Sequence, residues 1–325
     1  EYTKKPRLSA FREVLALTDE DLRPILQVMD LALMDDVSGT LIRANYRKKK
    51  TVTSTIWYCE ELIDVGEFIN AEELLLPLLQ EDLTKKEEEK IVYNLAIACI
   101  RMHRYQAAYE YLKKCEELTS NSMKTRWGYY YLQKGEWEEG VKRLLEGLKD
   151  KKDGAYAYGM LIRHYMLQGN WAVAKGYIDL ATEKYPDFPR LKMEKLRYLY
   201  KMKEWSELRV AVKELQDATP FHSYQTVNSL WVAESLYHQH DISALRDFLQ
   251  KNDTIATQSH FRHLPETVKS ESKLIKNYKP TLQKSNYCVP ASLEMVFSMY
   301  NQHVSQEEVA ESIFTVSGSS ISKAI

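Results

Sequence analysis

Apolar residues recur along this chain at steps of three and four, broken by short polar intervals, and that spacing predicts one helix after another. An early stripe runs through Leu22, Ile25, Leu26, Met29 and Leu33, and Thr18 with Asp21 three residues on forms a capping-box-like start for it. A longer rhythm lies over the short one. An aromatic residue followed three positions later by a residue that is usually small appears in GEFINA, HRYQAA, GEWEEG, GNWAVA and KEWSEL. The aromatics are Phe68, Tyr105, Trp137, Trp171 and Trp205, spaced by 37, 32, 34 and 34 residues. A period near 34 implies helical hairpins stacked in a row, each burying its apolar face against the next.

The hairpin pattern resembles the tetratricopeptide repeat, a helix-turn-helix unit. The best copy spans residues 155–188, where Leu161, Tyr165, Gly169, Trp171, Ala174, Ile178, Ala181 and Pro186 fill the family's large, small and proline slots in order. Gly169 suits the left-handed turn that closes the first helix, Ala174 lets two helices approach, and Pro186 stops the second. Neighbouring copies use Gly128, Tyr131, Gly135, Trp137 and Leu144, then Leu199, Trp205, Val212 and Pro220. Looser copies carry Leu62, Gly66, Phe68 and Ala71, then Leu95, Ala96, Tyr105 and Ala108, the latter preceded by a capping box at Thr84 and Glu87. A sixth copy at 225–253, carried by Ala244 and Phe248, lacks both the turn glycine and the aromatic. The expected fold is all-α: a tetratricopeptide superhelix of five to six hairpins over residues 52–253. Residues 1–51 form an N-terminal helical cap, residues 254–282 a polar linker, and residues 283–325 a further segment.

Composition agrees with a mostly helical protein. Gly (11) and Pro (9) are scarce among 325 residues, which leaves little room for a turn-rich β fold. Charges nearly cancel, to −1, so no nucleic-acid or membrane partner is indicated. The basic run Arg47–Lys50 reads as a solvated helix end. No apolar stretch approaches the roughly 18 residues of a membrane span, and the start at Glu1-Tyr2-Thr3-Lys4-Lys5 shows no initiator Met and no signal core. Cys59, Cys99, Cys115 and Cys288 lie far apart without a CxxC, and the expected location is the cytoplasm. His260 with His263, and His238 with His240, lack the companions a metal site needs. No GxSxG, GxxxxGK, GxGxxG, HExxH or DxDxDG pattern is present, so no metal or cofactor is expected.

Tetratricopeptide arrays are curved, and the resemblance implies a concave face lined by the first helix of each hairpin. Aligning the copies puts Tyr93, Asn94, Arg126, Tyr129, Tyr156, Arg163, Arg190, Arg197 and Tyr200 on or near that face. Tyr and Arg bury area while keeping a polar handle, so a groove for a peptide or protein ligand bearing acidic groups is expected. The same tyrosines also suit plain packing between repeats. Only Asn94 matches the Asn–Lys–Asn pattern by which some members clamp a terminal carboxylate, so that mode is not expected.

The last segment carries the candidate chemistry. Cys288 stands two residues before Pro290, a favoured first-turn residue, and Leu293, Val296, Phe297 and Tyr300 follow at helical spacing. A second helix starts at Ser305, with Glu308 completing a capping box. A thiol at a helix N-terminus feels the positive end of the backbone dipole, which favours thiolate. Gln283, five residues earlier, can donate to a developing oxyanion. With CVPASLEMV and VSQEEVA, this segment resembles the start of papain-like peptidases that process bacteriocin leader peptides, although Val289 stands where the family more often has Gly. GSSISKAI (318–325) resembles the start of that family's next helix. The resemblance implies Cys288 as nucleophile and Gln283 as oxyanion donor, with the catalytic His and its Asp or Asn partner well downstream. His303 follows Cys288 by 15 residues, roughly 20 Å at helical rise, too far to take a proton from sulfur. The residues given therefore lack the base, and this chain is expected not to turn over substrate. The two readings are a scaffold that presents peptides to an attached cysteine peptidase, and a non-enzymatic interaction or peptide-sensing protein whose last segment is structural.

Overall fold

Each of the five recurring aromatics is the first residue of a helix. The computed structural model describes residues 14, 16–119, 122–150, 153–259, 261, 288–299, 301–306, 308 and 309, and all regular structure among them is helical. The chain divides into two compact units, Glu1–Arg262 and His263–Ile325.

In the first unit α1 (Asp19–Leu31) pairs with α2 (Asp35–Lys48). Six further hairpins follow among the described residues. They are α3 (Val52–Asp64) with α4 (Phe68–Leu78), α5 (Lys85–Arg101) with α6 (Tyr105–Leu118), and α7 (Lys124–Lys134) with α8 (Trp137–Gly147). Then come α9 (Gly154–Leu167) with α10 (Trp171–Lys184), α11 (Pro189–Met202) with α12 (Trp205–Ala218), and α13 (Gln225–His238) with α14 (Ile242–Lys251). The short α15 (Asp253–Gln258) follows, and Phe261 beyond it is buried. This is an all-helical array of hairpins, consistent with the expected tetratricopeptide-like superhelix.

One turn geometry serves every hairpin. The residue two before each second helix adopts left-handed backbone: Gly66, His103, Gly135, Gly169, Lys203 and His240, with φ of 91°, 59°, 89°, 71°, 60° and 57°. The next N–H then donates back five residues, as in Glu136 to Tyr131 (2.9 Å) and Asn170 to Tyr165 (2.8 Å), which satisfies a carbonyl the helix end leaves orphaned. The α1–α2 corner uses the same turn, with Leu33 at φ 56° and Met34 N–H donating to Met29 at 2.9 Å.

Packing repeats with the turn. Three residues into the second helices stand Ala71, Ala108, Gly140, Ala174, Leu208 and Leu245, and four further on Leu75, Leu112, Leu144, Ile178, Val212 and Leu249, all buried. In the sixth hairpin the packing residues are thus Leu245 and Leu249, one position beyond the expected Ala244 and Phe248, which are only half-buried. With no glycine or aromatic to mark the turn, the register follows the face that buries two leucines. The starting aromatics reach forward: Trp137 lies against His164, Trp171 against Tyr198 and Trp205 against His238, each on the next hairpin's first helix. Burial against both neighbours makes the row continuous.

Caps fix where the first helices begin. Thr18 accepts from Asp21 N–H, and Thr84 and Glu87 form the expected reciprocal box. Thr51 and Ser54 form another that the sequence pattern had not singled out. The basic run closes α2, where Lys49 Nζ donates to the Leu17 carbonyl at 2.6 Å.

In the second unit α16 (Cys288–Met299) ends with Gln302 N–H donating to Phe297 at 3.0 Å and Asn301 left-handed at φ 58°. Ser305 and Glu308 make the expected capping box: Glu308 N–H donates to Ser305 Oγ at 3.3 Å, and Ser305 N–H to Glu308 Oε2 at 2.7 Å.

Candidate functional site

Residues one repeat apart on consecutive first helices face each other, and this gathers Arg163, Arg197 and Tyr200. Glu194 of α11 is buried, its side chain 2 % exposed, and its Oε1 accepts from Arg163 Nε at 2.6 Å and from Arg197 at 2.5 Å. Its Oε2 is buried with no hydrogen-bond partner among the described residues. Beside this cluster Tyr200 stacks on Trp231 of α13, ring centroids 5.1 Å apart at 24°. The Tyr200 hydroxyl donates to Glu234 at 2.5 Å; burial first, and that carboxylate second, push its pKa up to about 12. Arg163, Glu194, Arg197, Tyr200 and Trp231, together with Trp171, Met166, Leu167 and Lys201, line a cavity of about 550 Å³. Leu167 is 88 % exposed. Two guanidiniums thus share one buried carboxylate, and Lys201 and an aromatic wall line the same cavity, a chemistry that suits an acidic segment carrying a large apolar side chain.

Arg190 and Tyr156 face elsewhere. Arg190 donates to Asp30 and, at 3.4 Å, to Asp35, both at the α1–α2 corner. Burial disfavours its charge, but the two carboxylates outweigh that and hold its pKa above the ordinary arginine value. The Tyr224 hydroxyl donates to Asp35 Oδ2 at 3.0 Å. Ser223 N–H donates to the Leu33 carbonyl at 2.8 Å, and Asp36 N–H donates to Ser223 Oγ at 2.9 Å. Tyr156 packs edge-on against Phe188 at 5.4 Å; burial first and Asp30 second raise its pKa, with Arg190 opposing. Next to this contact lies a polar cavity of about 750 Å³ whose lining includes Asp30, Asp35, Glu60, Asp64, Lys90 and Arg190. Burial, and then Glu61, push Asp64 up to about 6.

The remaining groove residues lie earlier in the array. Arg126 sits 4.1 Å over the Tyr93 ring and donates to Glu89 at 3.3 Å; burial pushes Tyr93 up to about 12, against the pull of Arg126. Asn94 is buried and donates to Glu60 at 3.4 Å. Tyr129 is half-buried against the core around Met123 and Trp127. Trp171, Trp231 and Tyr224 complete these sites without having been singled out as groove residues: Trp171 read as a repeat signature, and the sixth repeat carrying Trp231 is degenerate.

Cys288 is the first residue of α16. Gln283, Tyr300, the segment 318–325, His260 and His263 lie outside the described residues. His303 is exposed, beyond the full length of α16 from Cys288. His238 stacks on Trp205 at 5.1 Å, and His240 is the left-handed turn residue. Among the described residues no group of three or more His, Cys, Asp or Glu is placed to hold a metal ion, and no helix is long and apolar enough to cross a membrane.

Neither a protein-family model nor a curated protein matches this chain. Among solved structures it is similar to the TPR2AB domain in the pHSP90 complex of yeast Sti1, at 15 % sequence identity and a TM-score of 0.31. That match covers 70 % of this chain and 98 % of the other. The helical-hairpin repeat fold rests on the hairpins themselves, their shared turn and their repeated packing slots.

Proposed function

We propose that this chain is a peptide-binding scaffold whose ligand enters the cavity between Arg163, Trp171, Arg197, Tyr200 and Trp231. The observation that carries this reading is an open aromatic wall set beside guanidiniums that share a single buried carboxylate. The preferred ligand is an extended or helical acidic segment with a bulky apolar anchor. Such anchors supply most of the affinity at peptide sites, about 2 kcal/mol or more for a good one. Peptides selected from a displayed library should be enriched in Asp or Glu next to Leu, Phe or Trp. Trp231→Ala should weaken their binding at least tenfold while circular dichroism keeps its helical signal. Selected peptides that bind the variant undiminished would count against this cavity as the site. Reduced Cys59, Cys99 and Cys115 fit a cytoplasmic setting.

The placement of Cys288 at the start of a helix that begins Cys-Val-Pro favours a second reading, in which the array serves an attached papain-like peptidase segment. The test is clean because the other thiols are poor nucleophiles. Burial holds Cys59 up to about 12 and raises Cys99 and Cys115 as well. Brief iodoacetamide treatment at pH 7 should therefore label Cys288 alone, and faster than free cysteine. A rate no higher than that of free cysteine sinks the peptidase reading and leaves the scaffold.

A further inference from the structure

Hairpins in a repeat array pack on their neighbours, and the α1–α2 corner departs from that rule. Its contacts with Arg190, Ser223 and Tyr224 span 155 to 190 residues of sequence. Their form is that of a bound peptide. One leucine, Leu33, is 1 % exposed within the apolar cluster that contains Leu191 and Leu196. Carboxylates on either side of it, Asp30 and Asp35, meet one guanidinium. Two backbone N–H bonds tie the segment down, one in each direction.

We infer that residues 30–36 are a tethered ligand. The surface made by Arg190, Ser223 and Tyr224 is a binding site for a short acidic segment with a central leucine, which the chain's own corner fills until a partner segment of the same chemistry displaces it. The contact is built to be displaced. Asp30 and Asp35 stay 50 % and 37 % exposed, so water competes for both ion pairs. Tethering compensates, because an attached segment acts at an effective concentration on the order of millimolar. A free peptide must outcompete that, and releasing the tether should reveal the site.

This inference concerns a different surface from the aromatic cavity, and either can fail alone. The probe is a fluorescein-labelled peptide of residues 26–40, followed by anisotropy with the full chain. It should bind the D30N/D35N chain at least tenfold more tightly than the unaltered chain, and adding R190A should abolish that gain. Hydrogen exchange supplies an independent reading: the Ser223 amide should exchange faster in D30N/D35N while α9 and α12 keep their protection. An unchanged Ser223 exchange rate overturns the assignment of the ion pairs as the clasp. Folded D30N/D35N chain that binds the peptide no better than the unaltered chain, or binding that survives R190A, overturns the site.

Discussion

Gly140 occupies the slot that Ala71, Ala108 and Ala174 fill in other hairpins, so Gly140→Ala looks like a repair toward the repeat's own pattern. The geometry says otherwise. A Cβ built on Gly140 stands 2.7 Å from Leu132 Cδ2 and 2.9 Å from Leu132 N. The leucine side chain can rotate away; the backbone nitrogen of α7 cannot move unless the helix moves with it. Gly128 on the facing helix is confined too, since a Cβ built on it would stand 3.2 Å from the Gly140 carbonyl oxygen, so α7 and α8 approach through a glycine contact. Overpacking of this kind costs about 1–3 kcal/mol, while replacing a mid-helix glycine by alanine returns about 1 kcal/mol. The net expectation is a loss of about 0–2 kcal/mol. Gly176 is the control. It lies in mid-helix on α10, exposed, with nothing within 4 Å of its Cβ, so Gly176→Ala should stabilise by about 0.5–1 kcal/mol. Urea unfolding followed by far-ultraviolet circular dichroism gives both signs, and hydrogen exchange in α7 and α8 localises the first. If Gly140→Ala stabilises as much as Gly176→Ala, the close approach of these helices is not what selects glycine there.

Lys203→Gly should stabilise by about 0.5–1 kcal/mol, since the left-handed turn costs an L-residue about 1–2 kcal/mol and glycine's extra chain entropy cancels part of the gain; a lower urea midpoint would refute this. For Asp64 the folded pKa, about 6, lies above the ordinary 3.8, so the folded state binds the extra proton and stability falls as pH rises from about 4 to 6. Asp64→Asn should flatten that slope and stabilise at pH 7, by no more than about 1 kcal/mol because the carboxylate is partly solvated; urea midpoints at pH 4.5 and 7 decide it. Arg163→Ala alone should cost under about 1 kcal/mol, since Arg163 is largely exposed and Arg197 still serves Glu194. Removing both arginines strands a buried carboxylate and should cost about 3–5 kcal/mol, more than the two single losses combined. A double-mutant cycle that is additive would dissolve the shared-carboxylate cluster.

The repeat was legible because its marks are local. Phe68, Tyr105, Trp137, Trp171 and Trp205 sit at helix starts, Gly66, Gly135 and Gly169 at turns, and Thr18 and Thr84 at caps, each decided by neighbours within four residues. Where the marks are missing, as at His103, Lys203 and His240, the same turn forms because the flanking helices bury their faces only that way. The sixth hairpin's register slipped by one residue for that reason: Ala244 matched the small slot, while burial of Leu245 and Leu249 sets the helix. The site was less legible. Arg163 and Arg197 fall one period apart, so their meeting was readable. Nothing in Asp30, Leu33 or Asp35 announces a partner as distant as Arg190, because that contact depends on how the array bends, which is a sum over many small inter-hairpin rotations.

The α1–α2 corner also orders events during synthesis. Leu33 leaves the ribosome at least 155 residues before Arg190, which at about 5–20 residues per second is a wait of roughly 8–30 s. Intervening hairpins can zip up as they emerge, each against its predecessor, while the corner stays undocked with an apolar tip between two acids. The acids keep that tip soluble during the delay, and closure onto Arg190 becomes a late step that reports the arrival of the fifth hairpin.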